Sequence, residues 1–256
     1  MKRLGMIVAG ALLCFGGGEA GAGAWTRAGG EVFISQSVRY FSTEFSASRD
    51  VEFARSALGV YAEYGVTDMF TAVAEVEQGF RLDGSGFGSQ DGRAGLFVRA
   101  GVWRGQAGDV AALQLGGTIP YGGFTSAAAP GGDEAREIRA QALYGRGFIS
   151  AYGSGWVDAA LGFAKFTSTR ADEIKLDLTL GFRPAENWLG IVQVFGTRSL
   201  RNAGFGGVDY DLLKVQLSVG RVLFGGKTLL IGFADDVAVR GASPGYELSV
   251  ALWSAF

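Results

Sequence analysis

The chain has 256 residues, with 23 Lys and Arg against 25 Asp and Glu for a formal charge of −2, no histidine and one cysteine. Near-neutral charge without a concentrated basic face excludes a nucleic-acid surface, the lack of histidine excludes Ser–His catalysis and histidine-rich zinc sites, and a lone cysteine excludes an internal disulfide. The 43 glycines follow no collagen or repeat period; scattered through strand-like segments, they suit the bends, bulges and close-packed backbones of a curved sheet.

At the amino terminus Lys2 and Arg3 precede the apolar run LGMIVAGALLCF, and Ala22 and Ala24 have the spacing of a signal-peptidase site. The expected organisation is a signal peptide over 1–24 and one β domain over 25–256. The apolar run is too short to span a bilayer as a helix. Cys14 offers a lipoprotein alternative, but Leu12 and Leu13 stand where a lipidation site wants a small residue.

Beyond Ala24 no helical periodicity persists. Segments of about ten alternating residues, each followed by a turn, recur instead, the pattern of an outer-membrane barrel. They are EVFISQSVRYF, SALGVYAEY, MFTAVAEVEQGF, RAGLFVRAGVW, VAALQLGGTIPY, EIRAQALYGRGF, WVDAALGFAKFTS, EIKLDLTLGFR, WLGIVQVFGTRSL, YDLLKVQLSVGRVLF, TLLIGFADDVAVR and YELSVALWSAF. The predicted fold is therefore all-β, an antiparallel up-and-down transmembrane barrel of about twelve strands. GVTD, GQAGD, SAYGSG, AEN and GGK make short turns at one end. Most connections at the other end are longer: TEFSASRDVEFAR, LDGSGFGSQDG, GFTSAAAPGGDEA and RNAGFGGVD. That asymmetry puts both termini in the periplasm. Pro120, Pro130, Pro184 and Pro244 fall at strand ends or in loops, where the missing donor does not disturb a ladder.

Parity separates the two faces. Leu58, Val60, Ala62 and Tyr64, then Ala94, Leu96, Val98, Ala100 and Val102, then Ile174, Leu176, Leu178, Leu180 and Phe182 face lipid, while Arg93, Arg99, Lys175, Asp177, Thr179 and Arg183 face inward. Tyr64, Phe70, Phe148, Phe182 and Phe256 make an aromatic girdle near the short turns. Strand nine is ambiguous, since both its faces are apolar. A secreted β-sandwich also alternates, but it does not account for charge on the second face of strand after strand.

The last strand places Tyr246, Leu248, Val250, Leu252 and Phe256 on one side. This ending resembles the C-terminal aromatic signature of bacterial outer-membrane proteins, which in that group is the recognition signal for the barrel assembly machinery. More broadly, WTRAGGEVFIS and YAEYGVTD look like a set of proteobacterial barrels to which no activity is assigned. The resemblance implies an outer-membrane location in a Gram-negative bacterium, with lipopolysaccharide and the assembly machinery as partners.

Twelve tilted strands enclose a backbone cylinder on the order of 2 nm across. The residues expected to line its lumen are Arg39, Glu63, Glu75, Glu77, Arg99, Gln114, Arg139, Gln141, Asp158, Lys175, Asp177, Lys214, Gln216, Asp236 and Glu247. Three functions fit: a narrow channel for small polar solutes selected by these groups, a plugged structural or accessory barrel serving envelope or surface-polymer export, in which they pair with one another, and an adhesin or receptor acting through its loops. No enzymatic role, metal or bound cofactor is expected. Glu75 and Glu77 share a face about 7 Å apart, a spacing that suits a lumen charge pair better than acid–base catalysis. DGSGFGSQDG and GFTSAAAPGGDEA lack calcium-loop spacing and read as flexible extracellular loops.

Overall fold

In a computed structural model that describes residues 23–43, 54–83, 86–105, 108–121, 136–205 and 207–256, strand follows strand and each pairs antiparallel with the next. In chain order they are β1 (Val32–Thr43), β2 (Ala54–Thr67), β3 (Phe70–Asp83), β4 (Gly86–Arg104), β5 (Asp109–Tyr121), β6 (Glu137–Ser150), β7 (Gly153–Phe166), β8 (Glu173–Ala185), β9 (Trp188–Ser199), β10 (Asp211–Val222), β11 (Thr228–Arg240) and β12 (Gly245–Ala255). The expected signal segment through Ala22, including Cys14, lies outside the described residues. So do 44–53 of the first long connection and the whole of GFTSAAAPGGDEA with Pro130.

The sheet closes on itself. β12 pairs with β1 from Phe33↔Ala255 to Thr43↔Gly245, and beyond the strand Phe256 and Val32 exchange both backbone hydrogen bonds, at 2.9 and 3.1 Å. The result is a twelve-stranded, all-antiparallel β-barrel without a free edge. Its outer face is apolar strand after strand: Leu96 is 73% exposed, Ile231 62% and Leu115 61%. A continuous apolar surface of this extent does not tolerate water, and a closed barrel is one of the two folds that satisfy every backbone group inside a bilayer.

Strand nine resolves through its polar residues. Gln193 shares parity with Leu189 and Ile191, and its Nε2 donates to Thr179 Oγ1 of β8 at 3.3 Å, so that face turns in while Trp188, Val192 and Val194 turn out. The long connection expected at LDGSGFGSQDG is corrected: β3 and β4 keep pairing through Leu82↔Phe87 and Asp83↔Gly86. Glycine and polar residues erase the apolar alternation there, but the backbone ladder needs none of it. SAYGSG likewise contracts to a turn at Ala151 and Tyr152.

The outer parity makes a direct prediction. Leu96 sits at mid-strand between Ala74 of β3 and Gly117 of β5. Leu96→Arg is expected to destabilise the barrel by about 2 to 4 kcal/mol, measured by reversible urea unfolding in lipid vesicles.

Candidate functional site

Inward side chains divide along the barrel axis into two halves of different chemistry. At the short-turn end Phe33 of β1, Trp156 of β7, Leu189 and Ile191 of β9, Leu230 of β11 and Trp253 of β12 form a buried apolar cluster. Val110 and Ala112 of β5, Leu143 of β6 and Ala160 of β7 form a second. Trp25 packs against both.

Trp25 belongs to a strap, residues 23–31, that precedes β1 and folds back inside the barrel. Thr26 Oγ1 donates to the Asp68 carbonyl at 2.7 Å, the Gly29 N–H to Asp68 Oδ1 at 2.9 Å, and the Arg27 N–H to Thr71 Oγ1 at 2.8 Å. Its base turns on backbone bonds between Gly30 and Gly65 and between Gly65 and Glu31. Two glycines make the fit possible: a Cβ on Gly65 would lie 1.9 Å from the Ala28 carbonyl oxygen, and one on Gly145 would lie 2.7 Å from the Trp25 ring.

Arg27 Nε reaches Glu63 Oε2 at 2.5 Å, and Arg99 binds the other oxygen at 2.8 Å. Arg99 also donates to the Trp25 carbonyl at 3.1 Å, to the Tyr61 hydroxyl at 3.1 Å and to Gln114 Oε1 at 3.0 Å. Gln114 passes the chain on to Gln141 at 2.9 Å. Arg99, Gln114 and Gln141 are direct cross-strand partners on β4, β5 and β6, so register alone lines them up. With Glu63 and Arg99 only 1% and 2% exposed, this row is a dry floor rather than a solvated wall. Asp158 is also buried here, on β7, and accepts from the Ala24 N–H at 3.4 Å.

Toward the long connections the lumen becomes polar. Arg39, Arg55 and Arg93, from three different strands, all pair with Glu77 of β3, the last two at 2.9 and 3.2 Å. Next along the wall, Arg139 lies 3.7 Å from Glu75 and 2.5 Å from Glu137. Lys175 lies 3.5 Å from both Glu137 and Glu173. Lys214, opposite a bulge at Val237 of β11, faces Glu247 at 3.4 Å and Asp236 at 3.9 Å. Gln216 donates to Ser218 at 3.1 Å. Asp177 faces in and forms no salt bridge with a described side chain. At the rim Arg170 and Tyr210 close over Glu173; burial, reinforced by the Glu173 carboxylate, pushes the Tyr210 hydroxyl up from its ordinary value and keeps it a donor.

All fifteen residues expected to line the lumen sit at inward positions. Two groups escaped the sequence: the strap, and the apolar inward residues Phe33, Trp156 and Trp253. Parity was sufficient to find the second group, because each shares a face with the polar positions of its own strand. Tyr246, Leu248, Val250, Leu252 and Phe256 are on the outer face. Glu75 and Glu77, paired with different arginines, do not act on one point.

No family model matches the chain, and no curated protein matches its sequence. Solved structures do match in fold. An outer membrane channel from Pseudomonas putida F1 superposes with a TM-score of 0.64 at 12% identity, covering 91% of this chain and 98% of the other. The KdgM porin gives 0.52 at 7% identity over 87% and 99%, and outer membrane phospholipase A from Escherichia coli gives 0.50 at 9% over 86% and 89%. The chain thus has the fold of bacterial outer-membrane barrels, a fold shared by channels and by an enzyme.

Neutralising Glu63 leaves two guanidiniums of the floor without their carboxylate. Glu63→Gln is expected to cost about 3 to 5 kcal/mol, whereas Arg201→Ala at the rim, which breaks a partly exposed pair with Asp211, costs under about 1 kcal/mol. Arg201 also donates to Ser199 Oγ at 3.3 Å, a neutral contact that leaves the expected order unchanged, and denaturant midpoints of the two variants in one detergent provide the comparison.

Proposed function

We propose that the chain is a porin-like barrel of the Gram-negative outer membrane, a narrow channel for small polar solutes that the strap holds closed. The observation that supports this most directly is the polar half of the lumen. Guanidinium and carboxylate groups from most of its strands face one another across it, and the Arg93 side chain remains 52% exposed. The Glu77 carboxylate of this half is buried, but Arg39, Arg55 and Arg93 keep 32%, 27% and 52% of their side chains exposed, against 2% for Arg99 of the floor. Charges that stay wetted while held by partners form a lining whose sign can select solutes. The channel and porin folds above agree with this assignment.

Placed in the membrane, the short turns and both termini face the periplasm, the long connections face outward among lipopolysaccharide, and the closing strand with Phe256 is read by the barrel assembly machinery after removal of residues 1–24. The lack of histidine keeps Ser–His hydrolysis out of reach. A second reading, a permanently plugged accessory barrel, draws its support from Trp25, which joins the two apolar clusters of the lumen.

Single-channel recording of the refolded mature chain in a planar bilayer tests the proposal. Asp177→Asn is expected to shift ion preference toward anions and Arg93→Gln toward cations, each changing the permeability ratio about twofold or more, as expected when a lining charge sets selectivity. A folded barrel that never conducts under any voltage overturns the channel reading in favour of the plugged one.

A further inference from the structure

Asp158 is buried in the floor, 5% exposed, and forms no salt bridge with a described side chain. It accepts from a backbone nitrogen of the strap, Ala24 N, with the Trp156 indole and, at longer range, the Arg99 guanidinium also acting on it. An amide dipole is a poor match for a buried carboxylate, which needs a full positive charge to offset its lost hydration. Ala24 itself is 1% exposed and packed in the second apolar cluster. The carboxylate is therefore aimed at the chain position where the expected processing occurs.

We propose that Asp158 and the hollow over Gly145 form a receptor site for the α-ammonium and indole of the processed N-terminus, and that cleavage thereby locks the plug in its seat. The inference deepens the channel proposal and also rests on removal of residues 1–24. Hydrolysis of the Ala24–Trp25 bond consumes one water, leaves a carboxylate on the leader and creates an ammonium on Trp25. That ammonium lies one residue, about 3.8 Å of chain, from the nitrogen that meets Asp158, and release of Ala24 vacates the space between them.

The surroundings favour a cation at this point, and the neighbouring cations are already engaged elsewhere. Arg27, two residues on, is already matched to Glu63, and Arg99 is matched to the same carboxylate and to the Trp25 carbonyl. Asp158 is the remaining buried anion of the floor. The indole has its own seat: a Cβ on Gly145 would lie 2.7 Å from the Trp25 ring and 2.9 Å from Asp158 Oδ1, so one hollow accommodates both ends of the residue. The strap already docks with Ala24 in place, so processing adds a charge to a seated plug rather than making room for it.

The test is acylation of the α-amine of the processed chain, purified from membranes, by a neutral-pH N-hydroxysuccinimide acetate, followed by mass spectrometry of the N-terminal peptide. The folded wild type is expected to react about tenfold more slowly than the heat-unfolded chain, the ratio that 1.4 kcal/mol sustains. Asp158→Asn, nearly isosteric, and Gly145→Leu, which fills the hollow, should each restore the unfolded rate while the gel migration of a folded barrel persists. If Gly145→Leu does not fold, Asp158→Asn decides alone. Equal rates in folded and unfolded wild type overturn the inference, as does an Asp158→Asn chain protected like wild type. In planar bilayers Asp158→Asn should raise the open fraction. A barrel that is silent in both forms while its amine is protected by Asp158 overturns the channel proposal and leaves the receptor site standing.

Discussion

Closure of the backbone ladder is the constraint on which everything else depends. In hydrocarbon no water is available to satisfy a free N–H or C=O, so β1 must find β12, and Val32 and Phe256 complete the seam beyond the last formal pair. Once the sheet is a tube, each residue has one of two destinations, lipid or lumen, decided by parity alone. Alternation then becomes a selection rule with a high cost for error: a basic side chain on the wrong parity at mid-depth sits in oil.

That rule explains why so much of the fold was legible. Leu58 to Tyr64 and Ile174 to Phe182 keep strict alternation because lipid enforces it, and their neighbours are free to be charged. Where lipid does not reach, the signal fades. β3 and β4 run on through glycine and polar residues to Gly86 with no apolar stripe to reveal them. In β9 both faces are apolar, because the inner face at the short-turn end packs against Trp156 and Trp253 as a small protein core does. The strap was invisible for a different reason. WTRAGG carries no periodicity, and its place is set by complementary features scattered through the chain: Asp68, Glu63, Gly65 and Gly145.

The lumen therefore combines two materials. Its lower part resembles the interior of a soluble protein, with edge-on aromatic contacts such as Phe33 with Trp253 at 6.0 Å between centroids and a charged network sealed from water. Its upper part is an array of opposed charges in which buried carboxylates hold partly exposed arginines. The two meet at a row of cross-strand partners, Arg99, Gln114 and Gln141, whose alignment follows from β-register. A guanidinium anchored to four partners has little freedom, so the floor forms a rigid platform on which the strap rests, while Arg39, Arg55 and Arg93 converge on one carboxylate.

The seam between β1 and β12 also sets the order of events during assembly. Every other strand pairs with a neighbour that is adjacent in sequence, so hairpins can form with small loop entropy as the chain is delivered. Phe33 and Ala255 are partners from opposite ends of the chain. The contacts of this seam span nearly the whole sequence, so they carry the largest loop entropy and come last. Until then the growing sheet presents two unpaired edges to its surroundings, and both have to be sheltered by whatever inserts it.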